Sequence, residues 1–276
     1  MTNIIIEMFS YSFMVRAIIV GILVSLCSAL LGVSLVLKRY SMIGDGLSHV
    51  GFGALAFATA LGLSPLKVTI PVVIVAAILL LRVSENSKIK GDSAIGIIST
   101  GSLALGVLAI SVSTGLNTDL YNYLFGSILA MSKSDVALSI GLSVAVLIMF
   151  VVFYNKIFAV TFDESFACAS GTKVNRYNML IAVLTAITIV LGMRMMGSLI
   201  ISALIIFPAI TAMRVCSSFK AVTVTAAVLS VVCFLIAITI SYVNDLPTGA
   251  TIVVINIFAM IIFDIFKRIK IIVSKK

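Results

Sequence analysis

Charged residues are scarce in this sequence, and tryptophan is absent. Only 11% of the 276 residues are charged, whereas 62% are hydrophobic. Soluble domains have about 25% charged and about 45–50% apolar residues. A soluble fold of this length could not bury so much apolar surface, so the composition excludes a soluble protein. It indicates a polytopic membrane protein, because apolar side chains can face the lipid of a bilayer.

Motifs for nucleotide binding and for catalysis are also absent. No stretch fits Gly-x-x-x-x-Gly-Lys-Ser/Thr, so ATP, if it powers this protein, must be hydrolysed by another chain. The sequence has no His-Glu-x-x-His motif, no nucleophile elbow and a single histidine, and therefore gives no sign of an enzyme or of a bound cofactor. The four cysteines lack CxxC spacing, and we interpret them as packing residues: Cys27, Cys168, Cys216 and Cys233.

The net charge of +9 is explained by membrane orientation rather than by a nucleic-acid partner. Lys and Arg collect in the cytoplasmic loops of membrane proteins. With the N-terminus outside and nine spans, five basic groups fall on the cytoplasmic side, at residues 38–39, 82–90, 156–176, 214–220 and 267–276. The first residues lack the basic segment and the cleavage site of a signal peptide.

Nine apolar stretches are candidates for helices that cross the bilayer, which takes about 20 residues each. Gly197 and Pro208 interrupt one region and could break one helix into two, so we predict eight or nine spans. The stretch at 120–131 is too short to span and indicates a re-entrant or interfacial segment. We expect one transmembrane domain, residues 1–276, with spans near 14–37, 42–63, 66–82, 93–113, 134–155, 177–196, 198–215, 220–242 and 248–266.

Asp45 and His49 form the most informative polar pair within a predicted span. Ionisable groups inside a membrane are costly and indicate function. Their spacing of four residues places both side chains on one face of a helix. One oxygen and one nitrogen ligand suit Mn²⁺, Fe²⁺ or Zn²⁺ better than Ca²⁺ or Mg²⁺. The residues alone leave two alternatives open, a hydrogen bond that holds two helices together and a proton relay.

The longest polar interruption, residues 160–178, predicts a short helix in a cytoplasmic loop. Asp163 and Glu164 stand at its front, alanines in its middle and Gly171 at its end, which is the pattern of a capped helix. Such a helix could be a docking site for another protein, or the segment could be an ordinary connecting loop.

Several stretches, in order along the chain, resemble one family. LKRYSMIGDGLSHVGFGALAF resembles a signature that usually reads Arg-Arg-Met-Ser-Leu-x-Gly-Asp-Ala-Leu-Ser-His. Further matching segments are GDSAIGIISTGSLALGVLAIS, YLFGSIL, VTFDESFACASG, GSLIISALIIFPAITAMR and DLPTGATIV. The chain is similar to the permease subunits of the family-3 metal-ion ABC transporters. It departs from their pattern where Lys38-Arg39-Tyr40 replaces Arg-Arg-Met, Met42 replaces Leu and Gly46 replaces Ala.

The resemblance implies an all-α permease of the type II ABC importers, related to the vitamin B12 permeases, in a bacterial plasma membrane. It implies a homodimer, two copies of a cytoplasmic ATPase and an extracytoplasmic solute-binding protein. In such permeases the Asp and His of the signature line the translocation path, which corresponds to Asp45 and His49 here. The ATPase is expected to dock on the loop that contains Asp163, Glu164, Phe166, Ala167, Ala169 and Gly171.

The expected function is import of a divalent transition metal ion, with manganese favoured slightly over zinc or iron because no firm thiolate ligand accompanies the His and the carboxylate. The imidazole must be neutral to bind the ion, so acid pH should weaken transport. A proton-coupled secondary carrier is the alternative function. Genes for an ATPase and a binding protein beside this one would disfavour it.

Overall fold

The computed structural model describes residues 8, 10–86, 91–114, 124, 126, 132–198 and 200–274. The described residues form helices joined by short turns and linkers. In chain order the helices are α1 Ser12–Leu37, α2 Ser41–Ala60, α3 Pro65–Asn86, α4 Gly91–Thr114, α5 Lys133–Val152, α6 Tyr154–Phe162, α7 Glu164–Ala169, α8 Val174–Met196, α9 Ile201–Val215, α10 Phe219–Asn244 and α11 Thr248–Ser274.

Seven of these helices are long and apolar enough to cross a bilayer: α1, α3, α4, α5, α8, α10 and α11. Helix α2 has 20 residues, but Asp45, His49 and its glycines make it less apolar, and α9 has only 15 residues. Each of the nine predicted stretches corresponds to one of these nine helices, which confirms the all-α membrane fold. The expected re-entrant segment at 120–131 lies outside the described residues except for positions 124 and 126.

The predicted break between residues 177 and 215 is present, and it occurs at glycine. Gly197 ends α8 with a φ of 92°, a conformation that side-chain-bearing residues rarely adopt. Pro208, in contrast, lies inside α9 and does not end it. Membrane helices tolerate proline because neighbouring groups can satisfy the carbonyl that loses its partner.

Glycines bring the central helices into close contact. A Cβ atom on Gly53 of α2 would lie 2.7 Å from the carbonyl oxygen of Ser102, and one on Gly106 of α4 would lie 2.9 Å from the Cα atom of Gly53. At the crossing of α1 and α9, a Cβ on Gly32 would lie 2.1 Å from the carbonyl oxygen of Ile205. Small residues permit this approach in membranes, where dispersion contacts hold helices together. The packing fixes α2, which carries the candidate metal ligands, against α4.

The outer surface of the bundle is apolar. On α4 the side chains of Leu105, Leu108 and Val112 are 56%, 61% and 87% exposed, and on α11 Phe258 and Phe266 are also exposed. A soluble protein would bury such residues, whereas lipid tails solvate them. The protein is therefore a multi-pass membrane protein.

Candidate functional site

Asp45 and His49 lie one turn apart near the start of α2, as their spacing predicted. Nε2 of His49 is 3.7 Å from Oδ2 of Asp45. The Asp45 side chain is 38% exposed and that of His49 13% exposed, so the pair lies at the edge of a buried region with the carboxylate accessible. The helix is regular from Ser41 onward, and Asp45 therefore lies in its second turn.

The two side chains do not form a direct hydrogen bond, because 3.7 Å exceeds the usual N–H···O distance. Oδ1 of Asp45 instead accepts a hydrogen bond from Oγ of Ser202 on α9, at 3.2 Å. Nδ1 of His49 is buried and has no hydrogen-bond partner among the described residues. The pair itself cannot hold two helices together, since both members belong to α2. Any such role belongs to the bond between Asp45 and Ser202.

The glycines around the pair allow close packing of α2 against its neighbours, and α2 is a continuous helix there. The methyl group that Gly46 lacks would lie 2.7 Å from Cγ2 of Ile95 on α4, and that of Gly51 would lie 3.2 Å from Met193 on α8. Gly44 is less confined, since its nearest neighbour would be Cδ1 of Ile205 at 3.9 Å. The candidate ligands are therefore presented by a helix whose opposite faces are closely packed.

The short helix predicted in the 160–178 loop is α7, with six residues. The carboxylate of Asp163 accepts a hydrogen bond from the backbone N–H of Phe166 at 2.9 Å and caps the helix. Gly171 follows its end with a φ of 79°. Ala167 is fully buried, whereas Phe166 is 70% exposed and Ala169 is also exposed, so α7 sits on the body of the protein and presents an apolar side chain outward.

Lys38 connects α7 to the segment that precedes the candidate metal site. Its side chain is only 4% exposed, and its ammonium group pairs with Glu164. The same group donates to the side-chain oxygen of Asn178 at 2.8 Å and to the carbonyl of Val160 at 3.2 Å. Asn178 also donates to Glu164 at 3.2 Å. Partial burial acts to raise the pKa of Glu164, but the hydrogen bonds from Lys38 and Asn178 outweigh it and hold that pKa below its ordinary value.

Ser202 and Lys38 were not identified from the sequence as site residues. Ser202 is one of several hydroxyl residues in apolar stretches, and the helical period does not show which of them faces a carboxylate. Lys38 was interpreted only as an orienting charge at the end of a span. Its position six residues before Gly44, the first residue of the GDGLSH segment, is the signal that could have linked it to the site. Within the described part of the chain, no group of three or more His, Cys, Asp and Glu residues is placed to bind a metal.

The sequence and the fold can be compared with known proteins. Residues 10–267 match the model of the ABC 3 transport family. The manganese transport system membrane protein MntC of Halalkalibacterium halodurans is 30% identical over 93% of this chain and 89% of its own length. The high-affinity zinc uptake system membrane protein ZnuB of Haemophilus influenzae is 29% identical over 91% of this chain and 96% of its own length.

A solved structure, PsaBC from Streptococcus pneumoniae in complex with Fab, has the same fold with a TM-score of 0.86. It is 31% identical and covers 95% of this chain and 94% of the matched chain. The match of the family model over nearly the whole sequence agrees with the resemblance of its motifs. This multi-pass membrane protein belongs to the ABC 3 transport family.

Proposed function

We propose that this chain is the transmembrane subunit of an ATP-driven importer of divalent transition metal ions, and that Asp45 and His49 are transient ligands in its path. The observation that carries the proposal is the separation of 3.7 Å between Nε2 of His49 and Oδ2 of Asp45. An ion bonded to both atoms at about 2.1 Å would have a ligand–metal–ligand angle of about 120°, which suits a site of three or four ligands.

The accessibility of the pair also favours a path over a resident site. Asp45 is accessible enough to receive an ion, and Ser202 fixes one of its oxygens while the other faces His49. Two protein ligands bind weakly, and weak binding lets an ion leave. Waters, or the same pair from a second copy of this chain, would complete the coordination.

Manganese is the favoured cargo, followed by zinc and iron. The pair offers one hard oxygen and one imidazole nitrogen without a thiolate, and several divalent ions accept such ligands. The relatives MntC and ZnuB are named for manganese and zinc respectively. Their names support a transition metal as the class of cargo.

The surface of α7 supports docking of a separate ATPase. Phe166 exposes an apolar ring outside the spans, where a soluble partner could bury it, and Ala169 and Gly171 leave room beside it. The docked subunit would contact Asp163, Glu164 and the rest of this helix. An extracytoplasmic binding protein would deliver the ion on the opposite side, and the chain itself would hydrolyse nothing.

The cluster around Lys38 offers a route from α7 to the ligands. Glu164 lies in the first turn of α7, and Lys38 lies seven residues before Asp45. A displacement of α7 driven by ATP would pull on Lys38 and so turn the start of α2. The two states of the importer would then differ in the orientation of α2 relative to the path.

The experiment is metal accumulation in cells that express this chain together with its ATPase and binding protein and lack other importers. Asp45→Asn and His49→Gln are compared with the native chain and with Asp264→Asn, which removes a carboxylate paired with Arg214 far along the sequence. Uptake of ⁵⁴Mn, ⁶⁵Zn and ⁵⁵Fe is measured separately at equal membrane expression. We expect uptake of one metal to collapse in both site variants and to persist in the control variant.

Two results would contradict the proposal in different ways. Normal uptake by both site variants would remove the pair from the path. Uptake that survives inactivation of the ATPase but is abolished by a protonophore would indicate the proton-coupled secondary carrier instead.

A further inference from the structure

A cavity of about 500 Å³ opens beside α7, between the end of α5 and the start of α8. Its rim carries three cationic side chains, which are Lys156, Lys173 and Arg176. Its wall is apolar and aromatic, with Met149, Phe153, Tyr177 and Leu180. These side chains belong neither to the candidate metal path nor to the exposed face of α7.

The cations lack acidic partners within the described residues. The ion pairs found there involve Lys38, His49, Arg194, Arg214 and Arg268, and none involves the three cations of the rim. Lys156 makes a long hydrogen bond, 3.4 Å, to the hydroxyl of Thr172, and all three cationic residues are exposed. Three cations around one cavity without an anion repel one another, and a bound anion would relieve that repulsion.

The cavity lies at the surface of the membrane, so the anion that binds there is one found at a membrane surface. Helix α5 ends at Val152 and α8 begins at Val174, so the cavity lies where two spans leave the bilayer. The concentration of basic residues places this end on the cytoplasmic side. The rings of Phe153 and Tyr177 meet edge to face, with centroids 5.9 Å apart, and tyrosine is enriched at membrane interfaces.

The apolar wall continues onto the lipid-facing surface. Met149, Val151 and Val152 on the last turn of α5 are exposed, with Val151 69% and Val152 67% accessible. An acyl chain can therefore follow this surface while the anionic headgroup stays at the rim. A free phosphate ion or an acidic side chain would leave the apolar wall uncovered.

We infer that this cavity binds the headgroup of an anionic phospholipid, with its phosphate among Lys156, Lys173 and Arg176 and its acyl chains along α5. Basic pockets between membrane helices on the cytoplasmic side are suited to such headgroups. Because Gly171 and Thr172 line the cavity and directly follow the end of α7, the bound lipid would stabilise the position of the docking helix. The inference does not depend on the metal path.

Because the sequence contains no tryptophan, the fluorescence of one introduced tryptophan reports on its own position alone. Tyr177→Trp introduces a single reporter at the cavity, with Phe153→Trp as a second reporter in case the first does not assemble. The full chain is reconstituted in phosphatidylcholine vesicles with increasing fractions of phosphatidylglycerol brominated near the glycerol, which quenches nearby tryptophan. Phe266→Trp, exposed near the cytoplasmic end of α11 and so at a depth similar to that of the cavity, reports the bulk lipid composition.

We expect the cavity reporter to be quenched at a phosphatidylglycerol fraction about tenfold or more below that needed at Phe266→Trp. Replacing Lys156, Lys173 and Arg176 with Gln should abolish this difference. The matched control replaces the exposed residues Arg39, Arg82 and Lys220 with Gln. It removes the same charge elsewhere on the cytoplasmic side and should preserve the difference.

Three outcomes would overturn the inference. Equal quenching at both reporters would show no preference for the anionic lipid. Displacement of the lipid by glycerol phosphate would assign the site to a free phosphate compound. If quenching is equal and the triple variant loses its ATPase on copurification, the cations serve the protein partner instead.

Discussion

The hydroxyl of Ser202 on α9 lies 3.2 Å from Oδ1 of Asp45 on α2, across the contact between two helices. The bond leaves Oδ2 turned towards His49. A group that hydrogen-bonds a metal ligand fixes the ligand's orientation, and its removal typically lowers metal affinity by about 10–100-fold. Ser202 is therefore a positioning residue for the proposed ligand.

Ser202→Ala should raise the metal concentration for half-maximal uptake by about tenfold, at the lower end of this range, because one hydroxyl among several groups is lost. The maximal rate should change less. Ser48→Ala is the matched control, since its hydroxyl donates to the backbone carbonyl of Asp45 at 2.7 Å rather than to the carboxylate. Equal effects of the two changes would contradict a positioning role. The measurement is the concentration dependence of uptake at equal expression.

Lys38→Met should uncouple ATP hydrolysis from transport. It removes the ion pair between Lys38 and Glu164 of α7, together with the charge-assisted hydrogen bond from Lys38 to Asn178 of α8, which contributes about 1.5–3 kcal/mol. Transport per ATP hydrolysed should fall by about tenfold or more, since 1.4 kcal/mol corresponds to a factor of ten. The ratio is measured in reconstituted complexes with ATPase and binding protein.

Two further variants show whether the change is specific. Lys38→Arg restores the residue usual in the resembled family and should retain coupling. Lys220→Met removes an exposed lysine and should have no effect. If Lys38→Met reduces hydrolysis and transport equally, the cluster only stabilises the fold.

Glu164 should make a small, pH-dependent contribution to stability. Its pKa is lowered in the folded protein, so the contribution is present above the unfolded pKa of about 4.3 and is lost as pH falls through the folded pKa. The Tm difference between the native chain and Glu164→Gln should therefore shrink below about pH 4. It should be modest, because the side chain is 49% exposed. In a Lys38→Gln background the Tm difference should be smaller but not absent, because Asn178 still donates to Glu164. A difference of unchanged size there would contradict the role of Lys38.

Most of the fold could be predicted from the sequence because the bilayer imposes a simple requirement. A helix that spans lipid must be apolar over nearly its whole length, and the nine apolar stretches accordingly correspond to nine helices. The break at Gly197 was anticipated, whereas the continuity of α9 through Pro208 depends on tertiary surroundings that no single sequence reveals.

The candidate site was predicted only in part. The period of a helix places Asp45 beside His49, since both belong to one segment. It cannot identify Ser202 as the neighbour of Asp45, because that contact depends on how α9 packs against α2. Lys38 and Glu164 are separated by more than a hundred residues, so no local pattern connects them.

Gly46 has a packing role where α2 contacts α4. The resembled family usually has alanine at this position, but here the methyl group would lie 2.7 Å from Cγ2 of Ile95. Gly46→Ala should lower the stability by about 1–3 kcal/mol through overpacking, measured as thermal unfolding in detergent. In an Ile95→Ala background, which lacks the obstructing atom, Gly46→Ala should lower the stability only slightly.

Two neighbouring glycines act as controls for this double-mutant cycle of Gly46 and Ile95. Gly44→Ala should be neutral, because its nearest atom would be 3.9 Å away. Gly53→Ala should not be rescued by Ile95→Ala, since the obstruction there is the backbone oxygen of Ser102. Additive effects of Gly46→Ala and Ile95→Ala would show that the two residues do not compete for space.

The unbroken course of α2 restricts how the proposed site could release an ion. Asp45 and His49 are separated by about 6 Å along the axis of one helix, a spacing fixed by the helical pitch. The backbone cannot move one ligand away while the other stays, as it could if the two belonged to different helices. A rotation of α2 would turn both ligands out of the path together, so the ion would lose its two protein bonds in a single all-or-none step.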